Sequence, residues 1–161
     1  MKALTLAVVV AGMVFHARLV EAQTMQDSSS VVLAALDSIL GAPPWDHPGG
    51  KAGAICLGAS SERGGYLDLV ARALQSRGAH VGEGCRSERA ATFGGWVVTA
   101  AGSPAIRVSI QQLNFVSELE ATARIQETRG GRWGRGEECR TTRASYAEPW
   151  VVDSCTLLWI S

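Results

Sequence analysis

Lysine is almost missing from this chain: Lys2 and Lys51 are the only two, and the other basic residues are arginine. Net charge is missing as well, with 15 basic against 15 acidic side chains. A balanced chain has no global electrostatic pull toward nucleic acid or an anionic membrane. Histidine is scarce, and His16, His47 and His80 show no H-E-x-x-H spacing that would hold zinc from one helix face. No C-x-x-C occurs, which removes the redox dithiol and the zinc ribbon from consideration. The phosphate-cradling glycine loops and the G-x-S-x-G nucleophile elbow are absent too. The longest apolar run, Ala3–Phe15, is thirteen residues, short of the roughly 20 that span a bilayer.

What is present is a set of four cysteines, Cys56, Cys85, Cys139 and Cys155, downstream of a segment that reads as an export signal. Met1-Lys2 supplies the positive start and Ala3–Phe15 the apolar stretch. Val20-Glu21-Ala22 offers the small and aliphatic residues of a cleavage site, so the expected cut falls before Gln23. Losing Lys2, Arg18 and Glu21 leaves 13 basic and 14 acidic side chains, a mature charge of −1. The expected location is secreted or periplasmic, without stable membrane insertion. In an oxidising compartment the cysteines are expected to be staples rather than ligands or nucleophiles. No metal and no cofactor is expected.

The organisation reads as residues 1–22 signal, 23–51 a helix and a Pro/Gly-rich loop, and 52–161 a disulfide-stapled core, one domain in all. Ser28-Ser29-Ser30 are expected to cap a helix that buries Val32, Leu33, Leu36, Ile39 and Leu40 and stops at Gly41. Pro43–Gly50 reads as an exposed loop. Ala52–Gly58 predicts a buried strand, Tyr66–Arg77 a helix closed by Gly78, and Ala79–Cys85 a second strand. From Gly95 the period changes to two. Ile106, Val108 and Ile110 alternate with polar residues, as do Leu119, Ala121, Ala123 and Ile125. Gly130-Gly131 predicts a hairpin turn. The expected class is α+β: an N-terminal helix, a strand-helix-strand unit, then a curved, mainly antiparallel sheet of about four to five strands.

The last hairpin allows arithmetic. A turn centred on Ala147 places residues summing to 294 opposite one another, which pairs Cys139 with Cys155, Arg135 with Trp159 and Thr141 with Asp153. Opposed residues are close enough for a disulfide, and Cys56 then pairs with Cys85.

The candidate sites are few. Ser60 and Ser61 sit at a strand-to-helix turn, where capping is their ordinary use; Arg63 in the same turn is a candidate anion ligand. Arg129, Arg132 and Arg135 gather at the glycine hairpin, where an RNA-binding reading conflicts with export, and an acidic partner is the alternative to a solvated surface. Among the tryptophans, Trp96, Trp150 and Trp159 fall in strands and are expected in the core, whereas Trp45 and Trp133 are candidates for an exposed ligand platform.

The ending Trp150–Ser161 after a glycine-rich hairpin, with the Ala54-Ile55-Cys56-Leu57-Gly58 strand, resembles small exported bacterial proteins of unknown function. Helices followed by a curved sheet also resemble nuclear-transport-factor-2-like cone folds, which implies a ligand-binding cavity; the early strand-helix-strand unit departs from that plan. The functional expectation is a non-catalytic secreted domain that binds a small ligand, or a cell-envelope protein or polysaccharide, through the late sheet. The alternative is a small secreted hydrolase using His47 or His80.

Overall fold

The computed structural model describes residues 23–59, 65–82, 85–88, 95–130 and 133–161. The export segment 1–22, Ser60, Ser61, Arg63 and Arg132 lie outside the described residues. Helix α1 covers residues 23–40 and α2 Gly65–Ser76. The strands are β1 (Ala54–Ala59), β2 (His80–Val81), β3 (Arg86–Glu88), β4 (Trp96–Val98), β5 (Ala105–Ser117), β6 (Glu120–Gly130), β7 (Trp133–Thr142) and β8 (Val151–Ile160).

The serines do not cap α1. The helix runs back to residue 23, and the hydroxyls of Ser29 and Ser30 donate to the Gln26 carbonyl at 2.8 and 2.9 Å. Hydroxyls that bond back to the preceding turn are tolerated inside a helix. Ser28 and Ser29 are buried beside Val31, Val32, Ala35 and Leu36, so the inward face begins earlier than hydropathy shows. At the other end the expectation holds: Gly41 has φ 70° and its N–H donates to Asp37 at 3.1 Å.

Helix α2 buries Tyr66, Val70 and Leu74. It closes at Gly78, φ 86°, with Gly78 N–H donating to Gln75 and Ala79 N–H to Leu74. That pair of bonds is a Schellman cap, which needs the left-handed conformation glycine adopts freely. Strands β1 and β2 on either side of α2 are parallel, as a helical crossover requires. The second strand is only two residues long, not the expected Ala79–Cys85.

Strand β1 also pairs parallel with β5, Ala54 opposite Ala105 through Ala59 opposite Ile110. Strands β5, β6, β7 and β8 then follow antiparallel, and β4 carries β3 onto the end of β6 at Gly130. The class is α+β with a large, mostly antiparallel sheet; among the described residues it has eight strands, β1 and β2 of the strand-helix-strand unit and six more where about four to five were expected. Strand β3, which the sequence does not announce, has three residues, too short for a period-two pattern to declare itself.

Both helices pack on one face of the sheet. Val31, Val32, Leu36, Val70 and Leu74 meet Ile55, Ile106, Val108, Ile125 and Trp150 there in one core cluster. A smaller cluster of Ala54, Cys56, Val97 and Ala105 lies with Cys85. The bridges are Cys56–Cys85 and Cys139–Cys155, as the hairpin arithmetic and elimination require. Cys139 and Cys155 are direct cross-strand partners, with Cα atoms 4.1 Å apart.

The two companion pairings are corrected. Arg135 faces Ile160 and Trp159 faces Gly136, while Thr141 faces Val152. Register shifts between Gly136 and Glu137 and between Arg140 and Thr141 absorb one residue on each side of the bridge. Bulges of this kind confine a slip to a few residues, so the cysteine rung stands while its flanks move.

Arg143 ties α1 to the two turns at one end of the sheet. It holds Asp27 at 2.8 and 3.1 Å, donates to the Glu118 carbonyl, and lies between the rings of Tyr146 and Trp150. No helix among the described residues is long and apolar enough to cross a membrane.

Candidate functional site

Alternation along β6 sends Ala121, Ala123 and Ile125 into the core, and the next residue on that face is Glu127, 1% exposed. A buried carboxylate needs charge partners. Its cross-strand neighbour Arg135 supplies one, Nε to Oε1 at 2.8 Å, and Arg129 supplies the other at 3.2 Å. Glu137 joins Arg135 at 3.1 Å, so the two arginines and two glutamates balance.

Each arginine also reaches out of the sheet. Arg135 donates to the Ile39 carbonyl at 2.7 Å, where the last turn of α1 leaves acceptors open. Arg129 donates to the Asp46 carbonyl at 2.7 Å. The cluster thus anchors both the C-terminal end of α1 and the Pro/Gly loop. Arg135, a candidate anion ligand in the sequence, is partly buried and paired with Glu127 and Glu137.

The loop, with its cis Pro43–Pro44 bond, is held by a backbone pair between Trp45 and Ala52. Trp45 is not the exposed platform expected of it. Its ring is 3% exposed within the core, and its indole N–H donates to the Gly41 carbonyl at 3.0 Å. Trp133 is exposed, as expected, with the Arg129 guanidinium 4.9 Å from its ring centroid. Such a stack is attractive by about 0.5–1 kcal/mol at an exposed site.

Between loop and hairpin lies a cleft of about 410 Å³ lined by Asp46, His47, Pro48, Lys51, Arg129 and Trp133. Lys51 and Asp46 form an ion pair across its mouth, and both side chains are well exposed. The Lys51 ammonium, by hydrogen bond and charge, holds the Asp46 carboxyl below its usual value. His47 is buried at the back. Its Nδ1 accepts the Gly49 N–H at 2.9 Å, and Nε2 is enclosed without an aligned hydrogen-bond partner among the described residues. His80 is exposed on β2, with no role in the cleft.

The His47 environment predicts a pH effect. Burial depresses its pKa and the Arg129 charge adds to that, while the carbonyls of Arg129 and Ala105 act in the opposite direction. The folded state therefore binds this proton less readily than the unfolded chain, whose ordinary value is about 6.5. Stability is complete above about pH 6.5 and declines as the pH falls from there toward the depressed folded value. His47→Asn keeps an acceptor for Gly49 N–H and removes the proton site. Urea denaturation at about pH 7 and about pH 5 should show a smaller loss for the variant than for the wild type; equal losses would count against His47 as the source.

Trp159 was missed. Rather than packing in the core, it is 39% exposed on the sheet face opposite the two helices, across from Gly136. Period-two counting could not place it, because the bulge beside Leu158 shifts its face. Trp150 does lie in the core and Trp96 is half-buried.

Glu137, Cys139 and Cys155 place ligand-type atoms within 4.8 Å of one another. Both sulfurs are consumed by the disulfide, so this cluster is not a metal centre. Comparison with known protein families, with curated proteins and with solved structures finds no match to this chain.

Proposed function

We propose that the protein is an exported, non-catalytic binding module that takes a small ring-bearing ligand in the cleft between the Pro/Gly loop and the β6–β7 hairpin. The observation that carries this reading is the Arg129–Trp133 stack in the cleft lining, an exposed aromatic backed by a guanidinium that pairs with the buried Glu127. An indole presents a large apolar face with few rotatable bonds to order on binding. Lys51 is the available donor, because an exposed ion pair such as Lys51–Asp46 is held weakly and can exchange partners. The ligand class is therefore a compact ring with one acceptor group.

Export rests on the N-terminal segment, with cleavage before Gln23 and a secreted or periplasmic destination; two disulfides fit an oxidising compartment. A hydrolase reading would need His47 or His80 joined to an acid or hydroxyl. His47 instead spends Nδ1 on a backbone N–H and has no aligned partner at Nε2 among the described residues.

Benzoate and glucuronate, each a ring with a carboxylate, are suitable probes. Either should raise the melting temperature saturably and shift the Trp133 indole resonance. Trp133→Ala should weaken that binding about tenfold, and Lys51→Gln should weaken it less. A Trp133 signal that neither probe moves would remove the cleft as the ligand site.

A further inference from the structure

The sheet face opposite the helices carries three rungs across β5, β6, β7 and β8. Ser109, Gln126, Gly136 and Trp159 form one. Gln112, Arg124, Glu138 and Thr156 form the next, and Asn114, Thr122, Arg140 and Ser154 the third. Apart from Trp159 every side chain in these rungs is polar, and the two glycines of β7, Gly134 and Gly136, interrupt the row.

Those glycines explain where the indole lies. A Cβ on Gly136 would collide with the pyrrole edge of Trp159, 2.8 Å from Cε2, and one on Gly134 would stand 3.3 Å from the far edge of the six-membered ring. Gly134 and Gly136 are two residues apart on one face, about 7 Å, which matches the length of an indole. Trp159 therefore lies flat along bare β7 backbone, with one face packed and the other turned to solvent. Beside it is a shallow hollow of about 390 Å³ lined by Gln111, Gln126, Arg124 and Leu158. The Gln111 amide donates to Ser109 at 2.9 Å and to Gln126 at 3.3 Å, which orients the neighbouring amide groups.

We propose that this face is a second, independent binding site, for an uncharged polysaccharide chain. The apolar C–H face of a sugar ring matches the free π-face of a flat indole. Ring hydroxyls need both donors and acceptors, which glutamine amides and serine or threonine hydroxyls supply together. Four strands spaced about 4.8 Å apart give an unwalled surface about 14 Å wide, more than a single ring requires, so the ligand is a chain rather than a monosaccharide. Charge selects against an acidic polymer. Arg124 is paired with Glu138, and Arg140 with Glu120 and Asp153, leaving one surplus negative charge among them.

The test titrates the oxidised protein with cellohexaose and chitohexaose as neutral probes and hexagalacturonate as the charged one, by proton–nitrogen NMR. At least one neutral probe should shift the Trp159 indole N–H and the Gln111 and Gln126 amides saturably, and more strongly than hexagalacturonate. Trp159→Ala should weaken binding about tenfold or more. Gly136→Ala retains the indole but lifts it from its berth, and should weaken binding comparably. Val116→Ser, at an exposed turn-side position away from these rungs, should bind as the wild type does. The proposal is overturned if no neutral probe moves Trp159, if only Trp133 responds, if hexagalacturonate binds tighter, or if Gly136→Ala binds normally. Should Trp159→Ala not fold, the wild-type shift pattern and Gly136→Ala decide. A response at Trp133 alone would leave the cleft reading standing, so the two fail separately.

Discussion

Glu127→Ala is expected to destabilise the protein by about 3–5 kcal/mol. The reason is not the loss of a favourable pair but what is left behind. Glu127 is 1% exposed and touches Arg129 and Arg135, whose side chains are themselves mostly covered. Without it two guanidinium groups share only Glu137, and one buried positive charge stands uncompensated. The two arginines also hold the Ile39 and Asp46 carbonyls, so the end of α1 and the Pro/Gly loop lose their anchor with the carboxylate. Glu127→Gln retains shape and an acceptor oxygen, and should lose roughly 1–3 kcal/mol. Urea unfolding at neutral pH separates the two variants, provided the m-value is unchanged. A loss under about 1 kcal/mol for alanine would mean that water reaches the arginines and that the cluster is not a buried one. On the proposed binding role, the affinity for benzoate or glucuronate should fall as well, because Arg129 packs over the Trp133 ring.

This cluster was partly legible. The alternation Ala121, Ala123, Ile125 extends to Glu127 by simple counting, but a two-residue turn at Gly130-Gly131 would put Gly134 opposite it, and the register shift between Thr128 and Gly130 is what goes with Arg135 there instead. A hydropathy pattern stops at the first charge and so ends the inward face one residue early. Trp159 and the displaced flanks of the last hairpin were not legible, because a β-bulge changes which face a residue occupies without leaving a mark in composition. The Cys139–Cys155 rung was readable because it lies between the two bulges, where facing residues sum to 294 as a turn centred on Ala147 requires, whereas the pairs nearer the turn sum to 293. The parallel contact of β1 with β5 joins segments about fifty residues apart, and no local pattern encodes such a pairing. Trp45 misled through its neighbours. Proline and glycine correctly mark the segment as a loop, but a loop can still send one large ring into the core, as the Trp45–Ala52 pairing makes this one do.

Removing both disulfides is expected to unfold the domain, and the two bridges should contribute unequally. By loop-closure entropy, a separation of 16 residues for Cys139–Cys155 corresponds to about 3 kcal/mol, and one of 29 for Cys56–Cys85 to about 3.5 kcal/mol. Together these approach the whole stability of a domain this size, about 5–15 kcal/mol. The structural consequences differ more than the magnitudes. Cys139–Cys155 lies within a hairpin of two ten-residue strands that many backbone bonds already join. Cys56–Cys85 holds β1 to the segment that leads into β3, and β2, β3 and β4 are too short to hold themselves. Its sulfurs belong to the smaller apolar cluster with Ala54, Val97 and Ala105, and the Arg107 guanidinium donates to the Cys85 carbonyl at 3.0 Å. Paired alanine variants should therefore give different hydrogen-exchange maps. C56A/C85A should open β2, β3 and β4 locally while β5–β8 stay protected, whereas C139A/C155A should lower protection across β7, β8 and the adjoining end of α1. Cys155 Sγ lies 3.7 Å from Ser38 Oγ, which is why that second effect should reach the helix. Uniform loss of protection in both variants would show the sheet to be one cooperative unit, with neither bridge guarding a separate part.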